Sequence, residues 1–387
     1  MFRKGIGLIL VFSLVCIGMS ACVKKSSERV IAEIDPSSIL QEKSFTVNPD
    51  SRRVAYVAQM GNKQCVVMNG KEGKRYDYIV VESLIFSPDG NRLAYVAIAG
   101  DNKRFVVVED KEGKQYDDVW SLIFSPDGKR LAHKAKVGDK WLVIVDGKEG
   151  RQYDHLDRII FSPDGGRVAY KAERGSEQFV LLVDGEEERK MKDYPIFSPD
   201  GKRLAYVAKE GYKRFVMVDS EKGKSYDEVR YPTFSPDGKR LAYGARVEDK
   251  WCTIVDGKEG KSYDEVRYPT FSPDSKRLAY VAEKDDEQFV VVDGKEGKRY
   301  YRVMNPTFSS DSNRLAYKVK SFGLLGAKEL VVSDGEEGKF YDEIGDLIFS
   351  PDGKKLAYKA WTGNRQRVVV DGKGEERYDG VGTPVFG

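Results

Sequence analysis

The chain has 387 residues, 40% of them hydrophobic, with 65 Lys and Arg against 62 Asp and Glu. A heavily charged but near-neutral surface argues for solubility and against the one-sided basic stripe of a nucleic-acid-binding domain. Four cysteines and two histidines provide no CxxC pair and no HExxH helix, so the zinc classes built on those spacings are excluded.

In chain order, Arg3 and Lys4 precede an apolar run from Ile6 to Ile17, and small residues then lead to Cys22. The run is shorter than the roughly 20 residues a membrane-spanning helix needs, which predicts an export signal. Met19-Ser20-Ala21-Cys22 resembles a bacterial lipobox with Met where Leu is usual. The resemblance implies a signal peptide over 1–21, cleavage before Cys22 and lipidation of that cysteine; an ordinary signal peptide with an incidental cysteine is the alternative. With no Asp at position 23, the sorting rule places such a lipoprotein in the outer membrane facing the periplasm of a Gram-negative cell, and otherwise on the outer face of the cell membrane. Residues 22–43, which include Asp35-Pro36-Ser37-Ser38, have the composition of a flexible tether.

From 44 to 387 a unit of roughly 37 residues returns nine times, with the consensus YPTFSPDGKRLAYVA, a charged stretch, and QFVVVDGKEGKRYDEV. Its Phe falls at Phe86, Phe124, Phe161, Phe197, Phe234, Phe271, Phe308 and Phe349, and a degenerate first copy carries Val47-Asn48-Pro49-Asp50. Ser-Pro-Asp-Gly predicts a tight reversal after a short strand. Leu278-Ala279-Tyr280-Val281-Ala282 and Phe289-Val290-Val291-Val292 predict two strands buried on both faces. Asp-Gly-Lys-Glu-Gly is a hairpin leading to an outer strand of mixed polarity, as at Lys298-Arg299-Tyr300. Four short antiparallel strands covered front and back by neighbouring units describe a propeller blade. The expected fold is therefore all-β, a β-propeller of about nine four-stranded blades closed in a ring, with eight blades and a stray unit as the runner-up. Thr383 to Phe386, or the residues before Val47, offer a strand for the seam.

The FSPDG(K/R)LAY signature resembles the WD-repeat-like units of bacterial periplasmic propellers of the TolB type, and those of prolyl oligopeptidase-like enzymes. The resemblance implies the fold and little about function. No N-terminal α/β domain and no Gly-x-Ser-x-Gly elbow accompany it, so neither Tol-system membership nor peptidase activity is expected.

Candidate chemistry is sparse. His133 replaces the Tyr of the LAY strand and reads as a packed residue, while His155 is expected alone in a loop. Cys65 and Cys252 occupy equivalent places in blades one and six and read as small core residues without a mutual disulfide. No cofactor or metal site is expected, because hairpin turns want the Asp-Gly-Lys-Glu-Gly residues for themselves. The recurring Tyr-Asp pair, as at Tyr226-Asp227, is read as packing or capping, with a rim of ligand-binding carboxylates as the alternative. Arg130, Arg203, Arg240 and Arg277 are expected to form a solvated structural rim.

Positions that vary between units describe the job, and they gather on the face opposite the repeated turns. The binding residues expected there are Trp120, Trp361, Tyr78, Phe322, Leu324 and Leu325, on an arc from blade eight through nine and one to two. Blades five to seven, nearly copies of one another, are expected to carry no bespoke contacts. The functional expectation is a non-catalytic envelope lipoprotein that binds a protein, a peptide or a cell-wall glycan, held to the membrane through Cys22 and not binding nucleic acid. The alternative is a propeller enzyme, lactonase- or glycosidase-like, with its site at the ring mouth; no cluster of His ligands or paired carboxylates supports it.

Overall fold

A computed structural model of the chain describes residues 44–386 apart from 176–178, 185, 191–194, 305, 324–325, 375–377, 381 and 383. Cys22, the tether, Leu324, Leu325 and Thr383 lie outside the described residues. The described chain is all-β, of the β-propeller class expected, and forms nine sheets of blade type with strands in sequence order. They are numbered here sheet 1 to sheet 9, over 45–76, 78–112, 118–149, 155–190, 196–222, 228–263, 265–296, 302–337 and 343–374. In sheets 8 and 9 the first strand is split in two, as in Arg302–Val303 and Thr307–Phe308. The chain divides into two compact units, 1–190 with sheets 1 to 4 and 191–387 with sheets 5 to 9, each described by itself. At the ends, sheet 1 takes its first strand from Phe45–Val47, and Pro384 to Phe386 form no strand.

Local sequence dictates each turn. In Asp256-Gly257 both residues take positive φ, 50° and 79°, the pair a type I′ hairpin turn requires, and Asp256 Oδ1 accepts the Leu241 N–H at 2.9 Å. At the Ser-Pro-Asp turn, Ser235 Oγ donates to Asp237 at 2.6 Å and accepts the Arg240 N–H at 2.9 Å. The hydroxyl thereby stands in for a missing ladder bond, and the serine is fully buried. The second strand, Leu241–Val247, is buried from Leu241 through Ala245, as expected of a strand covered on both faces.

Hydrophobic burial lies between sheets. Ala205, Val207 and Val216 of sheet 5 pack on Tyr226, Val229, Phe234, Tyr243, Cys252 and Ile254 of sheet 6 and its lead-in. Comparable cores join sheets 1 and 2 and sheets 7 and 8. Cys252 is buried in such a layer and Cys65 among the apolar residues of sheet 1, both as free thiols.

Polar residues of the repeat bind consecutive sheets together. Arg240 Nη1 donates to the carbonyls of Ser275 and Lys276 in the next sheet at 3.2 and 3.1 Å, and its guanidinium lies 5.0 Å from the Phe271 ring centre. Arg92, Arg203 and Arg277 make the same reach, onto Phe124, Phe234 and Phe308. These arginines are inter-sheet clasps rather than the solvated rim expected. The Tyr-Asp pair is a second clasp. Tyr116 Oη donates to Glu149 of the following sheet at 2.8 Å, as Tyr300, which precedes a tyrosine instead of Asp, does to Glu337, while Asp227 accepts Lys213 Nζ at 2.6 Å from one sheet and the Glu248 N–H at 2.9 Å from the next. Lys213, then the Glu248 amide, hold the Asp227 carboxyl below the usual range.

Candidate functional site

At the strand ends opposite the repeated turns, one position decides how each sheet meets the next. It is the second residue of the third strand, or the fourth in the longer Gly326–Ser333 strand of sheet 8. Gln64 and Gln288 accept the backbone N–H of Ile79 and Val303 at 2.8 and 2.9 Å, and Glu329 accepts that of Ile344 at 2.9 Å. Where this residue is arginine, the partner is an acidic side chain instead: Arg104 pairs with Asp118, and Arg214 Nη1 with Glu228 at 3.0 Å. These positions vary with the sheet, so the polar make-up of this edge is local to each junction.

In the first unit, Asp118 also accepts the Trp120 indole N–H at 2.7 Å, leaving the Trp120 ring 56% exposed. Tyr78 is exposed as well, at the start of sheet 2. In the second unit, Trp361 is half-buried: its six-membered ring covers Gly345, where a Cβ would come within 3.6 Å of two ring atoms, and Lys359 Nζ lies 4.9 Å from the ring centre. Phe322 pairs with Ala327 in the second and third strands of sheet 8. The two tryptophans belong to different units, and each is placed only within its own. His133 is buried beside Tyr116, with ring centres 6.4 Å apart, and burial lowers its pKa to about 4. His155 begins the first strand of sheet 4 rather than lying in a loop, and is exposed.

The densest polar cluster lies in the second unit, across sheets 5 to 7, in the near-identical copies that sequence reasoning passed over. Glu228 is met by Arg230 Nη2 at 2.7 Å, Arg214 Nη1 at 3.0 Å and Arg246 Nη2 at 3.6 Å. Burial pushes the Glu228 carboxyl up, but Arg230 and Arg214 outweigh it and hold the group below its ordinary range. In sheet 7, Glu265 binds Arg267, which also stands 3.5 Å from Glu283. Arg230 bridges the sheets, 3.9 Å from Glu265 and 4.7 Å above the Trp251 ring.

Next to Arg230 and to Arg267 stands an exposed tyrosine. Tyr231 and Tyr268 occupy a bulge in the first strand with φ of 56° and 54°. Their rings are 5.5 Å apart and tilted by 40°. A left-handed backbone is an outlier for a bulky side chain, and such strain concentrates at functional positions. The available signal was the Glu-Val-Arg-Tyr-Pro string, present twice in succession at Glu228 and Glu265. Together these groups offer aromatic faces, fixed N–H donors and ionised acceptors, which is binding chemistry.

No family model and no curated protein matches the chain. Among solved structures, it is similar to a crystal structure of the eukaryotic initiation factor at 13% identity and a TM-score of 0.43, over 84% of this chain and 95% of that one. It is similar to TolB from Acinetobacter baumannii at 15% identity and a TM-score of 0.30, over 63% and 77%. The β-propeller domain of the Trilobed protease from Pyrococcus furiosus, described with an open velcro topology, gives 15% and 0.30 over 68% and 95%. These are distant likenesses of fold.

Proposed function

We propose that this chain is a non-catalytic, lipid-anchored protein of the cell envelope, a rigid scaffold that binds a protein, a peptide or a cell-wall glycan on the strand ends opposite its repeated turns. One contrast carries the reading. The ionisable groups shared by the units are committed to joining sheets, as at Arg240, Asp227 and Glu337, whereas exposed aromatic rings stand where units depart from one another, as at Trp120 and Tyr231. At this place Tyr194, Tyr231 and Tyr268 are tyrosine in three successive units, whereas others carry Ser83, Ser121, Arg158, Asn305 and Asp346. Exposed aromatics on a rigid support are the residues that anchor interfaces. The test is cross-linking of the full chain in intact envelopes of its own cell. A discrete adduct is expected, and it should weaken in Trp120→Ala or in the combined Tyr231→Gly and Tyr268→Gly variant. No adduct, or efficient turnover of lactones or glycosides by the purified chain, would overturn the reading.

A further inference from the structure

Resting on the reading of a binding scaffold, and narrowing it to a ligand class, we infer that the Tyr231 and Tyr268 faces and the open guanidinium edges of Arg230 and Arg267 bind an acidic saccharide, a chain of carboxylated sugar rings. Several observations converge. The tyrosines are 40% and 42% exposed, and their rings lie too close together to be two separate anchors, so they make one broad apolar face. Such a face suits the C–H side of a sugar ring.

The donors are adjacent and unsaturated. Arg230 gives Nε and Nη2 to Glu228, while its Nη1 is 3.9 Å from Glu265, beyond hydrogen-bond range. Arg267 engages its acidic partners through Nη2. The side chains of Arg230 and Arg267 are 41% and 31% exposed, so both reach solvent. A guanidinium has five donors, and a planar fork of this kind matches carboxylate geometry.

Charge does not oppose an anionic ligand. Arg214, Arg230, Arg246 and Arg267 face Glu228, Glu265 and Glu283, with Asp227 also within the influence of Arg246, so the cluster has no excess of negative charge. Repetition sets its form. The same Arg-Tyr pair comes twice, from adjacent sheets, which fits a polymer whose units repeat. A peptide of acidic residues would satisfy the charge but leave the tyrosine faces without a ring to cover them.

The test is calorimetric titration of the full chain, purified in detergent, with three probes. Oligogalacturonate has rings and charge, its methyl ester keeps the rings without the charge, and oligoglutamate keeps the charge without the rings. Oligogalacturonate is expected to bind at least tenfold more tightly than either control. The combined Tyr231→Gly and Tyr268→Gly variant, in which glycine accepts the positive φ freely, should lose at least tenfold in affinity. Arg267→Met should abolish the preference for acid over ester. Equal binding of acid and ester, tighter binding of oligoglutamate, or no binding of oligogalacturonate overturns the saccharide assignment while the cross-linking result stands independently. If the tyrosine variant does not fold, the comparison of the three probes on the unaltered chain decides.

Discussion

Arg240 does four things with one side chain: it caps two carbonyls of the next sheet, pairs with Asp256 at 3.1 Å and covers Phe271. Arg240→Ala should therefore cost about 2 kcal/mol in urea unfolding. Arg240→Lys should recover little of that, since an ammonium cannot reproduce the fork. The exposed neighbour, as Lys239→Ala, should change stability by no more than about 0.5 kcal/mol. Sequence reasoning placed this arginine on a solvated rim because a charge repeated in every unit looks like surface. Spacing along a chain does not record that the side chain folds forward over an aromatic ring roughly 31 residues later. His133 gives a second test. Its folded pKa of about 4 lies below the ordinary 6.5, so the unfolded chain binds the extra proton between those values and stability falls as pH drops from 6.5 towards 4. His133→Tyr, which restores the residue of the other units, should remove that loss, on the order of 2–3 kcal/mol by pH 4. Thermal melts of both chains across this range check it; parallel curves would show that burial does not suppress protonation.

The turns show how one element is adjusted to its neighbour. Gly128 has φ of 73°, and a Cβ there would sit 2.6 Å from an Asp89 carboxylate oxygen in the preceding sheet. Ser275 occupies the matching place with φ of 65°, and its Oγ accepts the Asp237 N–H of the preceding sheet at 2.9 Å. Ser312 repeats this towards Asp274. A serine thus offsets the strain of a left-handed backbone with a bond between sheets. Ser275→Ala, which keeps the strain and loses the bond, should cost about 1–2 kcal/mol, and Ser275→Gly, which loses both, less than about 1 kcal/mol; differential scanning calorimetry distinguishes them. The elements themselves were legible, because the Asp-Gly turns, the doubly buried strands and the period of the unit all point to one blade nine times over. The cluster at Tyr231 and Tyr268 was not. A bulge that turns a tyrosine outward leaves no mark in apolar alternation, and near-identity of units led to the expectation of no bespoke contacts there when it also doubles a pair of side chains.

For the whole chain, anchoring remains a proposal that rests on the lipobox resemblance at Cys22. Among the described residues no helix is long and apolar enough to cross a membrane. Cys22→Ala is expected to move the protein from the membrane to the soluble fraction, because acyl chains contribute about 0.8 kcal/mol per buried CH₂ and two or more chains give stable attachment. Equal retention after a salt wash would refute lipid anchoring. The arginine clasp has a further consequence, which concerns time rather than stability. Arg53, Arg92 and Arg130 each donate to backbone carbonyls of the sheet that follows in the chain, as do Arg203, Arg277 and Arg314. Lys355 stands at the matching position of the final unit. Since a chain leaves the ribosome N-terminus first, at about 5–20 residues per second, each new sheet emerges some seconds after the donor that will receive it. Within each unit the direction of the clasp and the direction of synthesis coincide, so every nascent sheet meets a partner already made.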